Sequence, residues 1–474
     1  MSPTPAFWNL EQPGLYWKGG LVPPTPKWTK EPSLDIIRRV SRQHLPVSEE
    51  QAIDITFLSA GVTNKLYTVS WEGQPKSYVF RVSLPVEPFY KTESEVATMR
   101  YVRYSTTIPV PRILAYNSST ENELGFEWIL MDKLPGCTLR EVWREWGQDE
   151  KASVVREVAG YVAQLREKLR FASEGNLYYR RAMEKAAKED IDIRYESVGE
   201  FSHVVIGPIV APFFFTGRRA RMQRNRGPFH SDHEYMMAQM QVQVDDMEFL
   251  LKSRAASAGE GDEEVNSIIE FDERLAADVP EILEACSSLN SLLPYIFPPE
   301  PPVTEAVFHN GPNRTGEISV DFDHQYILHH ADLSLTNIMV DPDRFRITGL
   351  VDWESVNIHP RWEEKTYPQF LTGPVVEEKP PPLPLSEEDK DKDKDKIQER
   401  LDNWEKTMLR QVFDEELGWI YRRTSFQDST QDEEWAKRKR EFKEHLEQVE
   451  FSPEAVKKWA DEMRVRIEKE RADT

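Results

Sequence analysis

Cysteine is scarce in this sequence, as are long apolar runs and net positive charge. Cys137 and Cys286 are the only cysteines among 474 residues, so a disulfide framework is excluded and a reducing compartment is indicated. The best apolar stretch, residues 204–215, contains one glycine and two prolines and is shorter than the roughly 20 residues that span a bilayer. The formal net charge of −22 disfavours nucleic acid and anionic membranes as partners, because both repel a polyanion.

The first residues, MSPTPAFWNLEQPG, lack the charged start and the apolar core of a secretion signal. The same stretch is poor in arginine, so a mitochondrial presequence is not expected either. We therefore predict a cytoplasmic protein. None of these features indicates an oligomeric state.

The residue pattern changes in kind along the chain, and the changes divide it into five parts. Residues 1–50 are an N-terminal extension with a Pro- and Trp-rich start and a short amphipathic helix. Residues 51–131 are predicted to form short strands with one helix, and residues 132–373 to be mainly helical with a few short strands. Residues 374–396 combine a proline run with SEEDKDKDKDK, which is typical of a low-complexity linker without fixed structure. Residues 397–474 are predicted to form charged amphipathic helices.

This order predicts an α+β fold with two lobes, as in protein kinases. A small antiparallel β-sheet lobe with one helix, residues 51–131, would bind a nucleotide. A larger, mainly helical lobe, residues 132–373, would carry the catalytic loop and an insertion on the acceptor side.

The segment 329–354, HHADLSLTNIMVDPDRFRITGLVDWE, contains residue types that phosphoryl transfer needs. That reaction requires an aligned nucleophile, a divalent metal and positive charge at the phosphates. Asp332 precedes Asn337 with the spacing of a catalytic base and a metal-binding Asn on one kinase loop, and His330 lies two residues before the Asp. A strand, a turn and a second strand would then present Asp352 beside Asn337. One Asn and one Asp suffice for Mg²⁺, which prefers oxygen ligands and keeps several waters.

The segments HAD, NIMV and LVDWE within this stretch resemble the aminoglycoside phosphotransferase and choline kinase superfamily. In that superfamily the metal-binding Asp is usually followed by Trp, where protein kinases have Asp-Phe-Gly. Upstream, SYVFRVSLPV, SEVATMRYVR, IPVPRILAY and FEWILMDKLPG resemble the fungal branch of the same family. The resemblance covers roughly residues 50–370. It implies a bilobal protein-kinase-like fold, ATP and Mg²⁺ as cofactors, and a small-molecule hydroxyl as the acceptor.

The resemblance also assigns roles within the loop. Asp332 would accept or orient the proton of the acceptor hydroxyl, while Asn337 and Asp352 would hold the metal. His330 belongs to the catalytic loop and is expected to brace it rather than to react. Glu354 could contact a cationic substrate, but an exposed carboxylate after the strand is expected.

A candidate phosphate-binding loop lies between the first two strands of the sheet lobe, in LSAGVTN. Gly61 would permit the tight turn, and backbone N–H groups with the side chains of Ser59, Thr63 and Asn64 could meet phosphate oxygens. The loop has one glycine where protein kinases have three. An ordinary hairpin turn is the alternative.

The third strand places Arg81 where typical kinases have a phosphate-binding lysine. Arginine keeps the positive charge and adds a bidentate fork. Its carboxylate partner on the following helix would be Glu95, with Glu93 as the alternative, unless the pair is a solvated salt bridge. Met131 lies at the predicted hinge between the lobes, where it would line the adenine pocket or simply pack in the core.

Two segments outside the motifs allow more than one interpretation. Residues 216–226, TGRRARMQRNR, form a basic island that could attract an anionic ligand, but a surface helix with solvated arginines is expected. The C-terminal helices would either pack on the large lobe or cover the acceptor cleft. The acceptor pocket itself is expected within residues 170–300.

These observations favour an ATP-dependent phosphotransferase that acts on a hydroxyl of an unidentified small molecule, amino-alcohol or aminoglycoside-like. A pseudokinase that binds nucleotide or serves as a scaffold is the alternative, because of Arg81 and the sparse glycine loop. A protein kinase is a third hypothesis. No Ala-Pro-Glu-like element follows Asp352, and NIHPRWEEKTYPQF leaves little room for an activation loop.

Overall fold

The fold is seen in a computed structural model that describes residues 12–18, 24–189, 193–198, 203–257, 263–299, 326–354, 356–364, 367–380, 392–424 and 433–472. These residues form a sheet-based lobe, a larger helical lobe with several small sheets, and three further helices. The predicted α+β arrangement of a small antiparallel sheet lobe and a mainly helical lobe is confirmed.

The sheet lobe contains a five-stranded antiparallel sheet in the order β3-β4-β5-β7-β6 and one helix, α2, after β5. From Tyr67 onward β4 alternates between buried and half-buried side chains, as a strand with one face on the core should. Strand β5 is buried along its whole length. The elements of this lobe and its extension are β1 (Leu15–Lys18), β2 (Thr25–Trp28), α1 (Leu34–His44), β3 (Ile53–Ala60), β4 (Asn64–Trp71), β5 (Tyr78–Ser83), α2 (Tyr90–Ser105), β6 (Ile113–Asn117) and β7 (Glu127–Asp132).

The helical lobe begins after a turn at Gly136, whose φ of 91° lies in the left-handed region that favours glycine. Its first elements are β8 (Cys137–Thr138), α3 (Leu139–Val142), α4 (Gln148–Lys168), β9 (Arg170–Phe171), β10 (Asn176–Tyr179), α5 (Arg180–Glu189), β11 (Glu196–Ser197), β12 (Val204–Gly207), α6 (Pro212–Phe215), α7 (Asp232–Ser257) and α8 (Glu263–Ile296). They are followed by β13 (Tyr326–His329), β14 (Ile338–Asp341), β15 (Arg346–Leu350), β16 (Asn357–Pro360), α9 (Lys392–Thr424), α10 (Glu433–Glu447) and α11 (Pro453–Ala472). Short 3₁₀ helices occur at Gly217–Arg221, Arg361–Glu363 and Gln369–Leu371.

Two three-stranded sheets flank the catalytic loop. The first has the order β16-β13-β9 and the second the order β15-β14-β8. In the second sheet, Ile338 pairs with Leu350, so that β14 and β15 form the predicted hairpin. The two sheets thereby fix both ends of the loop that joins β13 to β14.

The buried apolar residues form three clusters. One connects the sheet lobe to β10, α5 and β12 of the helical lobe. A second connects β5 and β7 to α4, β14, β15 and α9, so that it also joins the lobes. The third contains α7, α8, α10 and α11. The C-terminal helices therefore pack on the large lobe through two different cores.

The predicted linker of residues 374–396 is partly described. Residues 381–391 lie outside the described residues, whereas α9 begins at Lys392, inside the predicted linker. The apolar face of α9, with Leu409 and Phe413 fully buried, stabilises this helix, and lysine is a good helix former at the charged flank. None of the helices in the described ranges is long and apolar enough to cross a membrane.

Candidate active site

The predicted catalytic loop occupies residues 330–337, between β13 and β14. Asn337 Nδ2 donates to Oδ2 of Asp332 at 2.7 Å and to its backbone carbonyl at 2.9 Å. The backbone carbonyl of Asn337 accepts from the N–H of Val351 at 3.0 Å, where β15 has just ended. The structure therefore brings Asp332, Asn337 and Asp352 into one unit.

Asp352 has a backbone φ of 62°, in the left-handed region that residues other than glycine seldom adopt. Its pKa is raised to about 6, because burial disfavours the charged form and the negative charge of Glu354 adds repulsion. A divalent cation would relieve both effects. Oxygen atoms of Asp352 and Asn337 are ligands that Mg²⁺ prefers, so the residues present fit this ion.

His330 braces the loop, as expected, and its contacts are structural. Its side chain is buried, and Nε2 lies 3.1 Å from the carbonyl oxygen of Val351. The ring packs edge-on against Trp353 at 4.9 Å between centroids, and the Trp353 indole N–H donates to the carbonyl of Leu350 at 2.9 Å. Burial lowers the pKa of His330, which favours the neutral imidazole, and the ring holds the end of β15 against the loop.

Arg81 on β5 forms a buried ion pair with Glu95 on α2. The two side chains are 4% and 2% exposed, so the alternative of a solvated salt bridge is wrong. Glu93, the alternative partner, instead accepts hydrogen bonds from Tyr116 and Ser118 at 3.2 and 2.6 Å. The pair of a strand cation and a helix carboxylate is the arrangement that kinases use beside the phosphates.

The expectation that Glu354 is an exposed carboxylate is wrong. Its Oε2 accepts from Lys91 Nζ at 2.6 Å, from Arg81 Nη2 at 2.9 Å and from Asn64 Nδ2 at 2.8 Å. The physical reason is that Arg81 and Lys91 are both buried, and the single carboxylate of Glu95 cannot compensate two buried cations. Glu354 supplies the second negative charge.

Lys91, in the first turn of α2, is a site residue that the sequence reasoning missed. Burial lowers the pKa of its ammonium group, and the negative charge of Glu354 opposes that change. Burial would likewise raise the pKa of Glu354, but the charges of Lys91 and Arg81 outweigh burial and lower it to about 2. A signal existed, because Lys91 precedes Glu95 by four residues and so lies on the same face of the helix.

The predicted phosphate loop is the turn between β3 and β4. The N–H of Gly61 donates to the carbonyl of Asn64 at 2.9 Å, and the side chains of Thr63 and Asn64 both reach Glu354. Ser59 is exposed. The expectation that Gly61 permits the turn is wrong, because its φ is not positive and a Cβ there would meet no atom within 4 Å. The open space above the turn leaves room for a ligand.

Met131 lies on β7, where it pairs with Val79 of β5 and Ile113 of β6. It is 8% exposed and belongs to the core that joins the two lobes. The side chain of Met131 therefore packs in this core. Contact with adenine stays a prediction.

Three arginines of the basic segment 216–226 are not solvated, so the expectation is wrong for the side chains that the structure describes there. Arg219 donates to a carboxylate on α7 at 2.9 Å, and Arg224 and Arg226 both pair with Glu87. These arginines and their carboxylate partners are buried. Each of the three guanidinium groups finds a carboxylate on another segment, which offsets the cost of its desolvation.

A cavity of ≈ 480 Å³ opens beside the catalytic loop, where His329 and Ala331 contribute to its lining. Its other walls come from β16, from α6 and α7, and from α10 with the turn after it, so α10 packs on the large lobe and also lines this cavity. The lining includes five acidic and four basic residues, namely Glu174, Asp246, Glu363, Glu447 and Glu450 with Arg219, His329, His359 and Lys443.

Glu174 is the most unusual group in this cavity. Its side chain is fully buried, and neither carboxylate oxygen has a hydrogen-bond partner within the described ranges. Burial raises its pKa well above the ordinary value, the negative charge of Glu363 raises it further, and Lys443 opposes both. Its backbone is held by a reciprocal pair of hydrogen bonds with Phe229 at 2.8 and 3.0 Å.

Comparison with known proteins identifies a family for part of the chain. Residues 54–207 match the family model described as the phosphotransferase enzyme family, in agreement with the resemblance seen in the sequence. The match comprises the sheet lobe and the first part of the helical lobe, and it ends before the catalytic loop.

Individual relatives are distant. A subtelomeric hrmA-associated cluster protein of Aspergillus fumigatus is 25% identical over 339 residues, which cover 68% of this chain and 62% of that protein. The altered inheritance of mitochondria protein 9, mitochondrial, of Meyerozyma guilliermondii is 24% identical over 249 residues, which cover 48% of this chain and 40% of that protein. Choline kinase from Cryptosporidium parvum aligns with 14% identity over 93% of this chain and 97% of that chain, with a TM-score of 0.37.

The chain thus spans less than two thirds of the length of these curated relatives. The prediction of a cytoplasmic protein is contradicted, because the Meyerozyma relative and other matching fungal proteins are named as mitochondrial. That prediction depended only on the composition of the first residues.

Proposed function

We propose that the chain transfers the γ-phosphate of ATP to a hydroxyl of a small molecule, and the match of residues 54–207 to the phosphotransferase enzyme family model supports this proposal. The observation that carries it is the unit of Asp332, Asn337 and Asp352. Two residues after Asp352, Glu354 pairs with the buried cations Arg81 and Lys91. These groups match the needs of phosphoryl transfer, namely an oriented nucleophile, metal ligands and positive charge at the phosphates.

Each residue of the unit has a distinct task in this proposal. Asp332 would orient the acceptor hydroxyl and take up its proton as the oxygen attacks the γ-phosphorus. Asn337 engages Asp332 through its amide nitrogen, which leaves its amide oxygen to ligate Mg²⁺ together with a carboxylate oxygen of Asp352. Bound Mg²⁺ would offset the negative charge of the phosphate oxygens. Arg81 and Lys91 would hold further phosphate oxygens.

The cavity next to Ala331 is the proposed acceptor site. Its lining has five carboxyl groups against two Arg and Lys side chains, and Glu174 is buried in it without a partner in the described part of the chain. A ligand with an ammonium group would supply the donor that Glu174 lacks, because an unpaired buried carboxyl is costly. These features support an amino-alcohol or aminoglycoside-like acceptor.

The test is phosphate transfer from labelled ATP to panels of amino-alcohols and aminoglycosides, with and without Mg²⁺. We expect Asp332→Asn to lower turnover by roughly 10²–10⁴-fold, the usual contribution of a general base. Asp343→Asn, in the exposed turn between β14 and β15, is the matched control and should retain activity.

Three outcomes separate the hypotheses. Transfer that depends on Asp332 supports the proposal. Nucleotide binding without transfer or hydrolysis would favour the pseudokinase alternative instead. A chain that binds no Mg-ATP at all would contradict both.

A further inference from the structure

We propose that Glu354 is a resident counter-ion that occupies the phosphate-binding cations, and that nucleotide phosphates must displace it. The proposal rests on the proposed function, because it assigns Arg81 and Lys91 to phosphate binding. It adds a role that the transfer reaction does not require. Glu354 would lower nucleotide affinity, and its release would be coupled to loading of the site.

The contacts of Glu354 resemble those of a bound phosphate group. Four donors converge on its carboxylate, from the side chains of Arg81 at 2.9 Å, Lys91 at 2.6 Å, Asn64 at 2.8 Å and Thr63 at 3.2 Å. Two of the donors are cations and two are neutral, a set that suits any compact oxyanion. All four lie in the sheet lobe, whereas the carboxylate comes from the segment after β15.

Neighbouring side chains also orient these donors toward the position of the Glu354 carboxylate. The amide oxygen of Asn64 accepts from Ser83 Oγ at 2.8 Å and from Lys91 Nζ at 3.0 Å. The amide nitrogen of Asn64 is thereby turned to Glu354. Arg81 is held on its other side by Glu95. The anion position is thus built by the surrounding protein and does not depend on Glu354 itself.

Glu354 and a phosphate group cannot share these donors. Two anions on one set of donors would repel each other strongly at a separation of a few ångströms, especially where the cations are buried. The side chain of Glu354 is 21% exposed, whereas those of Arg81 and Lys91 are 4% and 3% exposed. Glu354 is therefore the member of the cluster that can leave toward solvent when phosphates arrive.

A different role for Glu354 predicts the opposite sign. If its carboxylate served as a further metal ligand near Asp352, neutralising it would weaken the binding of Mg-nucleotide. The proposed role predicts that the same change strengthens binding. The direction of the change in affinity therefore decides between the two roles.

The experiment measures the binding of Mg-ADP, Mg-ATP and adenosine to the full chain by calorimetry, for the natural protein and for Glu354→Gln. We expect Glu354→Gln to bind both nucleotides about tenfold more tightly, equivalent to about 1.4 kcal/mol, because one competing charge is removed. Adenosine carries no phosphate, so its affinity should stay unchanged. A purely structural effect of the substitution would alter all three ligands alike.

Glu364→Gln is the matched control. Glu364 also forms a buried ion pair, with Arg166 at 2.9 Å, but it lies outside the anion position. Its substitution should not raise nucleotide affinity. If Glu354→Gln fails to fold, Glu354→Asp keeps the charge but is one methylene shorter, so a smaller gain in affinity is expected.

Equal or weaker binding of both nucleotides by Glu354→Gln, with binding by the natural protein intact, would overturn the counter-ion role and leave the proposed function standing. A gain that extends equally to adenosine would also overturn it. Absence of nucleotide binding in all variants would overturn the proposed function as well.

Discussion

Glu127 provides a test of how the start of α2 is held in place. The side chain of Phe89, which precedes α2, makes no capping hydrogen bond, and its φ is 68°. Glu127 on β7 caps the helix from outside instead, because its Oε1 accepts from the N–H of Phe89 at 2.6 Å. The carboxyl group is 2% exposed. Glu127 therefore positions the helix that carries Lys91 and Glu95.

The buried position that allows this cap strongly changes the pKa of the Glu127 carboxyl group. Burial raises the pKa of Glu127 from 4.5 to about 7, although the N–H of Phe89 and the charge of Lys91 act in the opposite direction. A raised pKa means that the folded state binds the proton more tightly, so stability is present below pH 4.5 and falls as the pH rises through 7. At about 1.4 kcal/mol for each tenfold change in proton affinity, the loss amounts to about 3 kcal/mol.

Glu127→Gln removes this titration and keeps an oxygen that can accept from Phe89. We therefore expect the variant to gain on the natural protein as the pH rises, by up to about 3 kcal/mol of unfolding free energy between pH 4.5 and pH 8. Urea unfolding at several pH values would measure it. Tryptophan fluorescence follows the unfolding, and Trp128, which stacks on Phe80 at 5.1 Å, contributes to it from the sheet lobe.

The control is Glu72→Gln, which removes an exposed carboxylate from the same lobe. Its stability relative to the natural protein should vary far less with pH. A difference between Glu127→Gln and the natural protein that stays constant from pH 5 to pH 8 would refute the reasoning.

Two further substitutions test the turn and the acceptor site. Gly136→Ala should destabilise the protein by at least about 2 kcal/mol in thermal or urea unfolding, because φ is 91° and the added Cβ would collide with the carbonyl oxygen of Val340. Glu174→Gln should raise the KM for a cationic acceptor about tenfold, the effect of losing one charged hydrogen bond, and leave the KM for ATP unchanged. Gly160→Ala, where the added Cβ meets no atom within 4 Å, is the control for the turn, and the exposed Glu444→Gln on α10 is the control for the acceptor. A stable Gly136→Ala protein, or a Glu174→Gln protein with an unchanged KM for cationic acceptors, would contradict the respective argument.

The grouping of Asp332, Asn337 and Asp352 could be predicted from the sequence because it is local. Asp332 and Asn337 precede one hairpin and Asp352 follows it, so the pairing of its two strands brings them together. The pair of Arg81 and Glu95 could also be predicted, since a strand and the helix that follows it present one face each to a common core. In both cases the regular pattern of strands and helices along the chain was enough to predict which residues lie together.

The contacts that were missed join segments distant in sequence. Glu354 binds groups more than 260 residues away, and the arginines near residue 220 pair with Glu87 across the two lobes. Whether a charged side chain is solvated or buried depends on such tertiary partners, which composition does not reveal. The walls of the acceptor cavity were unpredictable for the same reason, because Lys443 and Glu174 meet only in the folded chain.

Helix α10 and the turn that follows it supply one wall of the cavity beside the predicted catalytic loop, while the loop itself is fixed by β13, β14 and β15. If this cavity holds the acceptor, as proposed, the reaction and the choice of acceptor are encoded in separate stretches of the gene. Substitutions in α10 would then change the acceptor without altering the residues proposed to bind phosphate. Related proteins with different acceptors should therefore diverge first at α10.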